Sequence, residues 1–529
     1  LLELTEQGHC AYPGDDLAAR AAQLLDIPVE IVRRAVEHGV ATRRLVRRDD
    51  PACGSLICLA WLDEAEETVA RGLARLRAGR HPCPPIDVSK AVPWVERRLG
   101  FPLASEQRAA LAQAMSAKVM IITGGPGVGK TTLVNAIVQV LGAKGLRLVL
   151  AAPTGRAAKR LAEASGTETK TIHRLLEFDP ASGGFKRSRD NPLKGDIFII
   201  DECSMLDVPL AAFFLCAVPT NAALILVGDV DQLPPVGPGC VLRDMIESRA
   251  LTVCRLERVF RQAARSAIIT NAHRVKAGLL PELSHPRDGA AKQRDYFFVE
   301  AEDPAKGVEL ILHLVSEAIP RRFRLDPIRD IQVLTPMQRG ELGARNLNQA
   351  LQAALNPAAA GVSRFGLNYR VGDRVMQLVN NYEKDVFNGD VGFIVHLDQV
   401  EQAVAVQFDD RTVNYQLGEL DELQPAYAIT VHKAQGSEYP AVVVPIHGQH
   451  YALLQRNLLY TAITRGRRLV VLVGSRKAVA IAVRGVEAHR RITTLAERLA
   501  RAVSAAGGDG GHPSSALPIE PSGGEWGNG

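Results

Sequence analysis

The chain has no cysteine pair at Cys-x-x-Cys spacing, no apolar run long enough to cross a bilayer, no secretory leader pattern and only a small excess of charge. Eight cysteines stand at positions 10, 53, 58, 83, 203, 216, 240 and 254, and the Cys53-x4-Cys58 pair has no companion ligand at zinc-finger distance. Buried free thiols are therefore expected, not a zinc site or a disulfide framework. The longest apolar candidate, 209–219, is too short for a membrane span and reads as a core helix. With no basic, apolar and small-residue leader, an intracellular, cytoplasmic protein is expected. The sequence begins with Leu1 and not Met, which suggests that an upstream portion is absent from it. A net charge of +5 permits a nucleic-acid partner without requiring one. What is present is length: 529 residues, 47% of them hydrophobic, are enough for three or four domains with their own cores. No internal repeat is evident.

Residues 124–131 read Gly-Gly-Pro-Gly-Val-Gly-Lys-Thr, a complete G-x-x-x-x-G-K-[ST] phosphate loop between the apolar run 119–123 and a helix-like stretch from Thr131. The chemistry needs these types. Glycines let the backbone curl so that successive N–H groups of Gly125, Pro126-flanked Gly127, Val128 and Gly129 face phosphate oxygens, and Lys130 reaches the β- and γ-phosphates. Thr131 offers a hydroxyl to Mg²⁺, Thr132 follows it, and the helix N-terminus adds a favourable dipole. About seventy residues on, the apolar run 196–200 ends in Asp201-Glu202, the form of a buried parallel strand that delivers carboxylates at its C-terminal end. Asp201 is expected to hold Mg²⁺, and Glu202 to orient and deprotonate the attacking water. An acid pair that only caps a loop is the blander reading, and the phosphate loop upstream weighs against it. A third apolar run, 222–228, leads to Gly228-Asp229-Val230-Asp231-Gln232-Leu233-Pro234-Pro235. The Gln232 amide can contact a γ-phosphate and sense its loss, or serve a turn; physics alone does not choose.

These three segments resemble motifs I, II and III of the superfamily 1 helicases, specifically the RecD-like branch and its stand-alone members. The resemblance extends over most of 96–500. Ser105-Glu106-Gln107-Arg108 is similar to the family's Gln motif, which implies that Gln107 reads the adenine edge. Ala152-Pro153-Thr154-Gly155-Arg156 looks like motif Ia, Arg258-Val259-Phe260-Arg261-Gln262 motif IV, the segment 428–438 motif V, and 459–467 motif VI. By this resemblance Arg261 and Arg465 reach the γ-phosphate from a second motor domain, as a planar, permanently charged fork suits. Phe260 stacks on adenine and Glu438 binds the ribose. Pro153, Thr154, Thr171, His173 and His432 contact single-stranded DNA, through groups that bond phosphate without reading sequence.

The implied architecture is α/β, with two RecA-like P-loop NTPase motor domains. An N-terminal helical module is expected over 1–95, with helical spacing at 15–25, 29–37 and 65–76. Its Arg33-Arg34, Arg43-Arg44 and Arg47-Arg48 pairs read as solvated faces slightly better than as phosphate contacts. The first motor spans 96–259 and the second 260–502. Turn residues followed by cations from Glu177 to Arg189 fit a small hairpin, placed at about 177–193, where the family carries a pin that splits the duplex. Short alternating strands and Asn-Gly dipeptides fit a small β-barrel over about 363–422, where the family carries an SH3-like insertion. The Gly, Ser, Pro-rich stretch 503–529 reads as a disordered tail.

The whole reads as an ATP- and Mg²⁺-dependent DNA helicase acting on single-stranded DNA and duplex junctions, monomeric, with repair or recombination proteins as partners. The family implies 5′→3′ travel. Two other readings remain at this stage: a DNA-stimulated translocase or remodeller that does not separate strands, and a non-motor scaffold subunit of a recombination complex. The intact set Lys130, Thr131, Asp201, Glu202, Gln232, Arg261 and Arg465 argues against the latter.

Overall fold

A computed structural model of the chain describes residues 1–50, 54–179, 182–259, 265–283, 294–357, 361–398, 402–409, 411–485 and 491–508. Two parallel sheets organise it. The first has six strands in the order Thr252–Leu256, Val119–Gly124, Ala223–Gly228, Ile197–Ile200, Leu148–Ala152, Thr169–Thr171. The second has five, in the order Tyr296–Glu300, Gly466–Gly474, Tyr439–Ile446, Ile331–Thr335, Ala428–Thr430. Every pairing in both is parallel.

The sequence explains why these sheets bury both faces. Side chains alternate across a strand, so a strand covered on both sides must be apolar at every position. In the first sheet Ile121, Phe198, Ile200 and Leu226 enter one core, and their neighbours Met120, Ile122, Ile199 and Val227 enter the other. The second sheet repeats the scheme, with Val442, Val444 and Leu472 on one side and Ala441, Val443 and Val471 on the other. The apolar stretch at 209–219 is a core helix, Val208–Ala217, whose Phe214 packs on Phe198 beneath the first sheet. No helix among the described residues is long and apolar enough to cross a membrane.

The N-terminal region is not purely helical. Helices Gly14–Leu25, Val29–Ala41 and Ala60–Ala78 enclose the three expected stretches, but an antiparallel sheet of Ala11–Pro13, Gly54–Leu59 and Leu45–Asp50 lies among them. Those strands are short, and 45–50 carries two arginines and two aspartates, so its alternation is faint in sequence. Arg33 meets Asp15 and Glu30, Arg47 meets Glu37, and Arg48 meets Asp63 at 2.7 Å. These cations are answered within the module.

The insertion in the second motor is a five-stranded antiparallel barrel sheet, Arg411–Gln416, Ala403–Phe408, Val391–Asp398, Arg374–Gln377, Leu423–Pro425, beside a hairpin of Gly361–Arg364 and Leu367–Arg370. Asp373 seats it on the motor. Fully buried, its carboxylate accepts from Gln352 Nε2 (2.6 Å), Asn356 Nδ2 (2.8 Å), Tyr427 OH (2.7 Å) and Arg370 N (2.7 Å).

The disordered tail expected from 503 is not what 503–508 form. A helix, Leu495–Gly508, continues through it because Leu495, Leu499 and Val503 recur at helical spacing and pack into the core shared with Leu62, Val69 and Leu73. The remainder, 509–529, lies outside the described residues. Beneath this helix Glu66, 0% exposed, accepts from Thr494 N (3.0 Å), Thr494 Oγ1 (2.6 Å) and Leu495 N (3.2 Å), capping it from another element.

Nearby Asp244 is 2% exposed and one of its carboxylate oxygens has no hydrogen-bond partner. Burial pushes its carboxyl up to about 7, against the pull of Arg243 and with the push of Glu66. Its folded-state pKa lies above the ordinary aspartate value, so the stability it confers is complete at low pH and is lost as pH rises through about 7. Asp244→Asn, neutral at every pH, should therefore raise Tm at pH 8 by roughly 5 °C and leave it unchanged at pH 4. Melting curves of both proteins across that range test this, and a pH-independent difference would rule it out.

Candidate functional site

The loop between strand Val119–Gly124 and helix Lys130–Gly142 has the shape that its sequence requires. Gly127 (φ 74°) and Gly129 (φ 77°) occupy the left-handed region, where a side chain would be strained. A Cβ on Gly124 would stand 2.5 Å from the Leu256 carbonyl, so the backbone passes there only as glycine. Val128 is buried and pins the loop from below. Lys130 Nζ folds back over it, donating to Gly124 O (2.7 Å) and Gly125 O (3.0 Å).

Asp201 and Glu202 follow strand Ile197–Ile200 at its C-terminal end, beside this loop. Glu202 takes a left-handed backbone (φ 53°), and its N–H donates to Asp201 Oδ1 at 2.9 Å. Burial, reinforced by Glu202, pushes the Asp201 carboxyl up to about 6, while Lys130 and Arg160 pull it down. A carboxylate so placed is completed by a nearby positive charge. With Thr131, exposed at the start of the helix, it supplies the hard oxygen donors that a divalent cation takes.

Gln232, from the turn after strand Ala223–Gly228, reaches across to the second motor: its Oε1 accepts from Arg465 Nη2 at 2.9 Å. Arg465 is 2% exposed and also donates to Thr461 O (3.1 Å), Ser437 O (3.1 Å) and Thr464 Oγ1 (3.2 Å). Around this bond the sheets are laced together. Tyr460 OH donates to Asp229 Oδ2 (2.7 Å), Leu233 N to Thr461 Oγ1 (2.9 Å), and Gln435 Nε2 to Leu233 O (2.9 Å). Tyr460 and His273 also stand against Gly125, where a Cβ would lie 3.1 Å from the hydroxyl and 3.3 Å from the imidazole. Lys130, Asp201, Glu202, Gln232 and Arg465 thus converge on one cleft. Phe260 and Arg261 lie outside the described residues.

Two expected nucleotide contacts are engaged elsewhere. Gln107, 1% exposed, accepts from Ala104 N (3.0 Å) and donates to Gly129 O (3.2 Å), so its amide braces the phosphate loop. Glu438 is paired with Arg160 Nη2 (2.5 Å) and Arg467 Nε (2.7 Å). Although burial pulls its carboxyl up, Arg160 and Arg467 outweigh that and hold it below the usual range. Arg160, which also lies 3.8 Å from Glu202, has no distinguishing mark in the sequence beyond standing one helical turn after Arg156.

Of the expected DNA contacts, Thr154 follows Pro153 and caps helix Gly155–Ser165, accepting from Ala157 N (3.3 Å). Thr171 caps helix Ile172–Leu175, accepting from Arg174 N (3.2 Å). A Cβ on Gly436 would lie 2.8 Å from Thr154 Oγ1, which brings motif Ia onto the motif V segment of His432. His173 sits among Phe178 and Phe185, with ring centroids at 6.4 and 5.7 Å. Burial lowers its pKa and that of His432, the latter helped by Arg491, so both imidazoles favour the neutral form. The hairpin pairs Phe178–Asp179 with Gly184–Phe185 and leans on the barrel: Phe178 stacks on Tyr382 (5.5 Å, 29°), and Arg174 meets Asp385 at 2.5 Å.

Comparison with known proteins agrees with this geometry. Residues 107–238 match the AAA domain model, 347–408 the ATP-dependent RecD-like DNA helicase SH3 domain, and 425–473 the UvrD-like helicase C-terminal domain. The ATP-dependent RecD2 DNA helicase of Deinococcus radiodurans is 35% identical over 504 residues, covering 94% of this chain and 67% of that protein. The RecBCD enzyme subunit RecD of Mycobacterium tuberculosis is 32% identical, over 81% of this chain and 79% of its own length. That of Haemophilus influenzae is 25% identical, over 72% and 70%. A phosphate loop facing a second RecA-like sheet across a cleft defines a two-domain, ATP-dependent helicase motor. The chain belongs to the RecD-like helicase family.

If the cleft is joined by the Gln232 to Arg465 bond, the two residues act as a pair. A double-mutant cycle with Gln232→Ala and Arg465→Ala, read in kcat/KM for ATP hydrolysis, should give a coupling of about 1–3 kcal/mol. Strictly additive losses would show the bond to be irrelevant to turnover.

Proposed function

We propose that this chain is a motor that travels 5′→3′ on single-stranded DNA, separates duplexes as it goes and serves DNA repair or recombination. The observation that carries the reading is the hydrogen bond from Arg465 to Gln232, because it joins the residue placed to sense a γ-phosphate to the opposite motor. Lys130 binds the β- and γ-phosphates, leaving its two carbonyl partners for charged oxygens. Thr131 and Asp201 would hold Mg²⁺, which would supply positive charge against the transferring phosphoryl group. Glu202 orients the attacking water and takes its proton, with Arg160 at its back. Arg465 and Arg261 neutralise the transferring group from the far wall. Gln107, Gly125, Pro126, Gly127, Val128, Gly129 and Thr132 shape the pocket, and Phe260 and Glu438 complete its adenosine side once Glu438 exchanges an arginine partner.

Binding across the cleft favours the closed arrangement, and hydrolysis removes the contact that favoured it. Thr154 meets the motif V segment of His432, and we assign Pro153, Thr171 and His173 with them to the path of the DNA strand. Their hydroxyls and neutral imidazoles can bond phosphate oxygens of any sequence, as a translocating motor requires. The name of the Deinococcus relative, a DNA helicase, supports the DNA substrate. Both motor domains being supplied by one chain is consistent with action as a monomer.

Lys130→Ala should abolish ATP hydrolysis while leaving single-stranded DNA binding within about twofold, and a normal ATPase in that variant would sink the site assignment. On two matched duplexes, one with a 5′ single-stranded tail and one with a 3′ tail, wild type should unwind only the first; unwinding only the second reverses the direction. Deleting Pro180 to Arg187 at the hairpin tip should leave DNA-stimulated ATPase intact and abolish unwinding. Full unwinding by that variant would discard the pin, and ATPase without unwinding in wild type would leave a translocase.

A further inference from the structure

The segment that carries Gln232 runs on through Leu233-Pro234-Pro235-Val236-Gly237-Pro238-Gly239, an irregular stretch. Three prolines remove three of its N–H donors and preclude a regular ladder, so its carbonyls need outside partners. One guanidinium supplies three of them. Arg491 donates from Nη2 to Pro235 O (2.6 Å), and from Nη1 to Gly237 O (2.7 Å) and Gly239 O (2.9 Å). The fit is close on every side. A Cβ on Gly8 would lie 2.2 Å from the Arg491 guanidinium, and one on Gly237 would lie 2.1 Å from Asp207. Gly239 N donates to Gly8 O at 2.9 Å.

Arg491 is itself fixed from the opposite end of the chain. Its neighbour Ile492 donates to His9 Nδ1 (3.1 Å) and accepts from Cys10 N (2.9 Å), and Thr494 is held by buried Glu66. Along the chain Arg491 stands between helix Arg476–Arg484, packed in the second motor, and helix Leu495–Gly508, packed on the N-terminal Ala60–Ala78. The far side of the same proline-rich segment is held by Thr461 and Gln435 of the second motor. The segment therefore has two grips: one from the motor that must move when the cleft opens, and one from Arg491 on the body formed by the N-terminal module and the first motor.

We propose that Arg491 is a positioning residue for the motor cycle: by fixing the turn from Pro235 to Gly239, it sets the reach of Gln232 and makes cleft opening do work on the DNA strand. It acts through Gln232 and touches no nucleotide. The inference rests on the reading of the chain as a strand-separating motor.

The test uses the full chain with Arg491→Ala and Arg491→Lys. Arg491→Ala should lower kcat for DNA-stimulated ATP hydrolysis about tenfold and reduce the base pairs separated per ATP, with KM for ATP within about twofold and Tm little changed. Arg491→Lys keeps one ammonium donor and should recover part of both losses. Wild-type kcat and stepping in Arg491→Ala would overturn the proposal, as would a parallel fall of kcat, Tm and ATP affinity with no recovery by lysine. Should Arg491→Ala fail to fold, Arg491→Lys decides: lowered kcat at unchanged KM and Tm supports the role, and wild-type kcat refutes it. Failure of wild type to unwind the 5′-tailed duplex would instead strike the motor reading itself.

Discussion

Arg465 is a permanent positive charge at 2% exposure whose hydrogen bonds all end on neutral acceptors: two carbonyls, a hydroxyl and the Gln232 amide. Neutral dipoles satisfy its N–H groups without cancelling its charge. A buried cation held in this way stabilises an anion that enters its cleft more strongly than a surface arginine could, because water does not screen it. Its position also explains the cross-cleft contacts. The helix Arg456–Ile463, which ends just before Arg465, is the one whose Tyr460 and Thr461 bond Asp229 and Leu233 of the opposite sheet.

That dependence clarifies why so much of the chain converges on one proline-rich segment. A loop with three prolines and no internal ladder is not stiff by itself, and its hold on Gln232 comes from outside partners. Stiffness is imported from motif V through Gln435, from motif VI through Thr461, and from the two chain ends through Gly8 and Arg491. The buried Glu66 that caps the last helix is part of the same arrangement, since it fixes Thr494 three residues after Arg491.

What the sequence shows and what it hides divide along contact range. The phosphate loop, the strand-end acids and both doubly covered sheets are legible because each is a local pattern: glycines at set spacing, or an unbroken apolar run. The sheet within the N-terminal module is not legible, because Ala11–Pro13 has only three residues and Leu45–Asp50 carries four consecutive charged residues where alternation would be read. The last helix was masked by the glycine and proline composition that follows it. For Glu438 and Gln107 the resemblance points to nucleotide contacts, and the protein partners they hold are not foreseeable from sequence. The decisive groups, Arg160 at 278 positions from Glu438 and Gly129 at 22 from Gln107, are outside any local pattern. Arg491 is the extreme case, bonding carbonyls more than 250 residues away, where no spacing rule reaches.

The same electrostatic logic sets the order of events at the phosphate loop. Lys130 rests on two neutral carbonyls, and phosphate oxygens offer it charge-assisted bonds roughly twice as strong. An arriving triphosphate therefore draws the amine toward itself. That shift weakens the pull of Lys130 on Asp201, which burial and Glu202 already push toward protonation. A triphosphate arriving alone thus destabilises the ionised form of Asp201, whereas one that brings its own positive charge restores it. On the opposite wall Arg465 loses nothing comparable, because its partners are dipoles that remain bonded as an anion approaches. The wall that carries Lys130 and Asp201 is thus conditional in its electrostatic response to an entering triphosphate, and the wall that carries Arg465 is not.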